Sequence, residues 1–415
     1  MPVTMPLPAA LAPFRVRSFR FQWPADLLTS WAIEMEMLIL GWYVLVETGS
    51  VLLLTLYASL LYLGTLVAPM IGVVGDRIGH RMVLFGTRTS YMVVSAIIMT
   101  LAFTGNLTPV YVFVAAAFTG LVRPSDIGVR SALVAATMPL NYLVSAMSIS
   151  RITADSARAM GALAGAGLFA ALGMGPAYVA IVIFYAAGAL LLLGSGPEAV
   201  QPSSDGAVRP SPWRDLILGM AYIWNSPRLL AGMALAFLVN LCAFPLVAGV
   251  LPYVAKDIYG TDQTGFGYLV ASVAAGAVVG SVVLSIVGER MRVERIMIAS
   301  MIVWYVMLLV FGQVQSMSVG MISLFLIGTT QSVSMVTLAV MLLRAAEPQY
   351  RGRVMGVRML AIYGNPVGML AAGVLIESIG YPATAMIYGG TGLMFTALII
   401  LRWRTAVLPR QPAGV

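Results

Sequence analysis

Residues 30–40 read SWAIEMEMLIL, two carboxylates two positions apart inside a run otherwise fit for a membrane interior. The run extends outward to roughly 23–46, which satisfies the need of a spanning helix for about 20 apolar residues. Such runs recur along the chain. Its 415 residues are 60% hydrophobic and 10% charged, with a mean hydropathy of +0.93, whereas ordinary soluble domains carry about 25% charged residues. The charge-poor runs predict twelve transmembrane helices, at roughly 23–46, 51–74, 82–104, 108–124, 146–172, 175–194, 229–254, 264–287, 296–314, 317–343, 354–377 and 382–402. The expected class is an all-α membrane protein.

Lys and Arg beside spanning segments are retained on the cytoplasmic side. With the N terminus inside, every arginine falls on that side or in the inner part of a helix, and Lys256, the sole lysine among 24 Lys and Arg residues, is the exception. Both termini are therefore expected to be cytoplasmic. The net charge of +8 then describes a basic inner surface facing anionic lipid, and no nucleic-acid partner is expected. Residues 1–14 carry no basic side chain, a poor signal peptide, so the first span is expected to act as an uncleaved targeting segment.

Enzyme chemistry finds little material. Cys242 is the only cysteine and His80 the only histidine, which leaves no internal disulfide, no Cys-based or His-based metal cluster and no His-based catalytic pair. Lys256 has no glycine loop before it and so makes no Walker-type ATP site. No cofactor and no metal are expected, and the energy source is expected to be a proton gradient.

The longest polar interval, GSGPEAVQPSSDGAVRPSPWRDL from Gly194 to Leu216, is rich in Pro, Gly and Ser. It separates a six-helix half at 1–194 from a second at 229–402, leaving a linker at 195–228 and a tail at 403–415. Within the linker, WRDLILGMAYIWNSPRLL reads as an amphipathic helix on the inner leaflet. A short echo supports duplication: the second span ends in GVVGDRIGHR and the eighth in SIVGERMRVER. Two six-helix halves joined by a loop are the organisation of a repeat-built secondary transporter, with its substrate site between the halves near the midplane.

The loop between the second and third spans, Gly72-Val-Val-Gly75-Asp76-Arg77-Ile-Gly79-His80-Arg81, resembles the G-x-x-x-D-R-x-G-x-R signature of the major facilitator superfamily. The glycines permit close approach and a tight turn; Asp76 suits a helix N-terminus, and Arg77 and Arg81 suit acids or lipid phosphates. The resemblance implies a cytoplasmic gate that latches during alternating access; the simpler alternative is a positive-inside stop signal. GWYVLVETGS (41–50), RPSDIGVRSALVAATMP (123–139), LVNLCAFPLVAGVLP (238–252) and YRGRVMGVRMLAIYGNPVGMLAAG (350–373) look like the enterobactin-exporter-like branch, which implies efflux of drugs or siderophores, a bacterial inner membrane and a monomer. In ARAMGALAGAG, Gly161, Gly165 and Gly167 resemble the family's antiporter motif, with Ala162 where a proline is usual. Small residues at this spacing also serve helix packing.

Arg151, Asp155 and Arg158 stand at i, i+4 and i+7, so Asp155 reaches both arginines, either as a structural ladder or as a cytoplasmic gate. Arg344, Arg351, Arg353 and Arg358 read as inner-surface charges.

If the first helix begins near Trp23 with Pro24 in its first turn, Glu34 and Glu36 lie roughly 16–20 Å along it, close to the midplane of a core about 30 Å thick. A charged carboxylate facing lipid there costs a few kcal/mol. A two-residue step turns about 200° around a helix, so the two glutamates face differently. Glu36 shares its face with Thr29 and Tyr43, and is expected toward the substrate cavity; Glu34 shares its face with Ser30 and Gly41, and is expected toward a neighbouring helix. A buried carboxyl can hold a proton in one state and exchange it in another; the alternative is a paired structural glutamate. Trp31, Trp42 and Tyr43 offer aromatic faces to a cation, or packing.

These observations point to a secondary transporter for a small amphipathic or cationic compound, exporting in exchange for protons. An importer or facilitator on the same fold, and a non-transporting receptor or scaffold, are the other readings.

Overall fold

The computed structural model describes residues 9–65, 78–196, 212–287 and 292–404, and every regular element among them is helical. In chain order these are α1 (Arg17–Thr48), α2 (Val51–Leu60), α3 (His80–Phe103), α4 (Pro109–Thr137), α5 (Leu140–Leu172), α6 (Met174–Leu193), α7 (Pro212–Trp224), α8 (Pro227–Cys242), α9 (Gln263–Val287), α10 (Val293–Phe311), α11 (Met317–Ala345), α12 (Arg351–Leu360), α13 (Gly364–Ile379) and α14 (Tyr381–Arg402). Ten helical stretches among the described residues are long and apolar enough to cross a membrane. Their outward side chains, such as Val114, Leu190 and Ile322, are largely exposed, as a surface solvated by lipid requires.

Two of the twelve expected spans fall outside those ten. The second is described only over Val51–Thr65, a short apolar helix. The fifth is helical throughout as α5 and carries Arg151, Asp155 and Arg158 in its run.

Local chemistry sets several boundaries. Gly49 at φ +63° ends α1, and Ser50 starts α2 by accepting a hydrogen bond from Leu53 N–H at 3.2 Å, a side-chain N-cap. Pro24 does not mark the first turn of α1. The helix begins at Arg17 and carries Pro24 inside it, because Phe19 is buried against Val134, Met138 and Ala146, and that packing offsets the hydrogen bond proline cannot make. At 1.5 Å per residue α1 is about 48 Å long, with Glu34 and Glu36 just past its middle. The seventh span passes from α8 into π-type turns at Pro245–Gly249 and Val254–Ile258, where Pro245 and Pro252 interrupt the hydrogen-bond ladder.

The chain forms two compact units. One comprises residues up to Leu40 with Leu66–Ala207; the other comprises Gly41–Thr65 with Val208–Val415. In the second, α2 lies along α13: Glu377 accepts from Ser50 Oγ at 2.7 Å and from Leu52 N–H at 3.0 Å, and Ser59 Oγ donates to the Pro366 carbonyl at 3.1 Å. Also in that unit, α9 and α11 meet backbone to backbone, since a Cβ on Gly276 or Gly328 would overlap the Phe325 or Val273 carbonyl. Such contact is how helices associate where no water is available to expel.

Candidate functional site

The first unit holds a buried polar cluster built from α1, α3, α4 and α6. Glu36, 8% exposed, accepts from Ser95 Oγ of α3 at 2.8 Å and from Tyr185 Oη of α6 at 2.9 Å. Tyr185 in turn leans on Tyr91, with ring centroids 5.5 Å apart. Among the described residues Glu36 has no ion-pair partner within 4 Å.

Below it on α1, Asp26 receives the Arg88 guanidinium and lies 3.5 Å from Arg130 Nε. Arg130 also reaches Asp126 at 2.5 Å and Ser30 Oγ at 2.9 Å. Arg88 donates further to the Gly188 carbonyl at 3.3 Å, and Gln22 Nε2 donates to the Arg130 carbonyl at 3.1 Å. Arg88 is 0% exposed, a position open to a guanidinium only when its charge is answered. Two aspartates and two arginines balance that charge, while Arg88 Nε and Asp126 Oδ1 are buried with no hydrogen-bond partner among the described residues.

The two glutamates are placed differently. Glu36 is enclosed among α1, α3 and α6. Glu34 packs its Cβ against Gly161 of α5, where an added Cβ would stand 3.0 Å away, and its carboxylate, 21% exposed, lies 4.0 Å from Arg123. Tyr43 is half-buried on the part of α1 that belongs to the other unit. Trp31 packs on Phe184 and, in the second unit, Trp42 stacks on Phe266.

Gly165 seats α5 on α1, since a Cβ there would fall 2.9 Å from Met35 Cα. Gly167 does not pack: a Cβ there would meet nothing within 4 Å. Two residues turn a helix by about 200°, so Gly165 and Gly167 cannot face one neighbour. Of the loop signature, Gly72, Gly75, Asp76 and Arg77 lie outside the described residues. Gly79 adopts φ +91°, a conformation only glycine takes readily, and leads into α3. Arg81 donates to the carbonyls of Leu193 and Gly196, where a cation complements the carbonyl end of α6. Arg151 and Arg158 are exposed on α5, while the Asp155 side chain lies outside the described residues. In the other unit, Arg351 Nε and Arg358 donate to the carbonyls of Leu343 and Met335.

Sequence reasoning passed over Asp26, Arg88, Asp126, Arg130, Ser95 and Tyr185. Asp126 and Arg130 had a readable signal, an acid and a base at i, i+4 inside an apolar helix. Tyr185 had none, because tyrosine is common in spanning helices and only packing shows which one meets a glutamate.

Apolar helices surrounding a buried, charge-balanced cluster define a multi-pass membrane protein. The chain belongs to the transmembrane secretion effector family of major facilitator transporters, which it matches over residues 8–411. The nucleoside transporter NupG superposes with a TM-score of 0.71 at 14% identity, covering 95% of this chain and 100% of that one. The POT family transporter PepTSo superposes at 0.72 and 12%, covering 95% and 99%, and a POT family transporter bound to a thioalcohol-conjugated peptide at 0.73 and 13%, covering 94% and 97%. At these identities the likeness is one of fold. No curated protein matches the chain by sequence.

Proposed function

We propose that this transporter exports a small amphipathic or cationic compound, a drug, siderophore or metabolite, by alternating access in exchange for protons, as a monomer in a bacterial inner membrane with both termini cytoplasmic. Membership of a family of secretion effectors supports the outward direction, as does the resemblance to the enterobactin-exporter-like branch. The loop from Gly72 to Arg81 is the cytoplasmic gate in this reading.

One observation carries the coupling. Asp26 and Asp126 are each matched by arginine, and Glu34 faces Arg123, whereas the groups that hold Glu36 are hydroxyls, Ser95 and Tyr185 among them. A hydroxyl both donates and accepts, so Ser95 and Tyr185 keep their hydrogen bonds whether Glu36 is ionised or protonated; an arginine partner would admit only the ionised form. Glu36 is thus the acid suited to load and unload a proton as α1, α3 and α6 rearrange.

The test is transport in proteoliposomes under an imposed pH gradient, comparing the parent with Glu36→Gln, Glu34→Gln and the double variant. Loss of gradient-driven accumulation in Glu36→Gln, with exchange of substrate down its own gradient retained, is expected. If all three couple like the parent, the carboxylate mechanism is wrong. Everted and right-side-out vesicles separate export from the alternative, an importer or facilitator on the same fold.

A further inference from the structure

Helix α7 is divided lengthwise. One side is packed: Gly219 lies so close to α12 that a Cβ would stand 3.1 Å from Arg353 Cβ and from Val357 Cγ2. Tyr222 stacks on Tyr350 with centroids 4.1 Å apart and planes 8° from parallel, and its hydroxyl accepts from Glu347 N–H at 3.2 Å. Ile223 is buried on the same side.

The opposite side is bare. Arg214, Ile217, Leu218, Ala221 and Trp224 are all exposed, with Ile217 at 66% and Trp224 at 73%. Their spacing of three and four residues sets them in one stripe along the helix. Only Asn225 and Ser226 separate Trp224 from Pro227, where α8 begins and the chain enters a membrane-crossing stretch. The tryptophan end of the stripe therefore adjoins the start of that stretch. An arginine at one end and a tryptophan at the other, with aliphatic side chains between, is the composition that settles in the headgroup layer.

We infer that α7 is a membrane-surface helix, whose Ile217, Leu218 and Trp224 enter the acyl boundary and whose Arg214 engages anionic phospholipid headgroups. A second copy of the chain is a poor occupant. Five side chains on a 13-residue helix fall well short of the roughly 800 Å² per partner of a stable interface. Through the Tyr222–Tyr350 stack, the docked helix ties the lipid surface to α12, the first part of the eleventh expected span. The inference uses neither the direction of transport, nor Glu36, nor the proposed orientation of the chain.

The full-length protein, spin-labelled at Ile217→Cys or Trp224→Cys, is reconstituted in phosphatidylcholine, with and without phosphatidylglycerol. Both leaflets then carry the same lipid, so orientation does not enter. Both sites are exposed, and the native Cys242 is buried. Expected are collisions with oxygen, loss of collisions with a water-soluble nickel chelate, and a deeper label with phosphatidylglycerol that Arg214→Gln abolishes. In the unlabelled protein, brominated phospholipid quenches a fluorescence component absent from Trp224→Phe. Free access of the chelate at both positions, with no such quenching, overturns the inference. Spin–spin broadening does so too, by showing a second copy on the stripe, and depth indifferent to phosphatidylglycerol removes the anionic preference.

Discussion

Tyr185 Oη donates to Glu36 Oε2 at 2.9 Å across a sequence separation of 149 residues. A hydrogen bond to a charged group contributes about 1.5–3 kcal/mol net, and ~1.4 kcal/mol is tenfold in a rate. Tyr185→Phe is therefore expected to slow gradient-driven transport about tenfold or more and to lower the melting temperature modestly. Initial rates in proteoliposomes check this; a parental rate would show the hydroxyl to be packing alone.

Asp26 and Arg88 form a buried pair, and such a pair is expected to tolerate loss of both partners better than loss of one. Removing one side leaves the four-residue cluster with a net buried charge, which Arg130, 3.5 Å from Asp26, answers only in part when Arg88 is the one removed, at a cost of about 3–5 kcal/mol. Arg88→Met and Asp26→Asn are each expected to lower the melting temperature in detergent sharply, and the double variant to regain a large part of the loss. Additive losses in the double variant would contradict pairing as the source of the stability.

Gly165 and Gly167 are expected to respond oppositely to the same change. Gly165→Val forces a branched side chain onto the Met35 backbone and is expected to cost about 1–3 kcal/mol, as overpacking does. Gly167→Val enters open space and is expected to be neutral or slightly stabilising, because glycine weakens a helix. Melting curves of the two variants read the difference directly.

Glu377 anchors the start of α2 through Ser50 and Leu52. Glu377→Ala is expected to destabilise by about 1 kcal/mol, in line with loss of a helix cap. If residues 41–65 must leave α13 during turnover, a reducible crosslink between Ser50→Cys and Glu377→Cys arrests transport and reductant restores it. Full activity of the crosslinked protein would show that this contact persists through the cycle.

The glutamates show how far sequence reasoning reached. Apolar context made SWAIEMEMLIL a helix inside the membrane, and the turn of 200° between Glu34 and Glu36 required them to face differently. Neither consequence named a partner. Asp126 and Arg130 were readable as a pair by spacing, whereas Asp26 stands 62 positions from Arg88 and no local rule joins them. Pro24 misled because proline marks a helix start by propensity, and the burial of Phe19 outweighed it. Gly167 misled because a motif of small residues was taken whole, while a helix presents its residues to different neighbours.

Composition and periodicity by themselves determined a polytopic helical membrane protein, because lipid leaves a chain no way to satisfy its backbone except by helices or closed barrels. They also placed Glu34 and Glu36, since ionisable groups in an apolar run are few, but not Asp26 or Asp126. Only the tertiary structure decided which acid is matched by arginine and which by hydroxyls. That choice is made by side chains far apart in sequence, brought within hydrogen-bond distance by helix packing, and no local pattern encodes it.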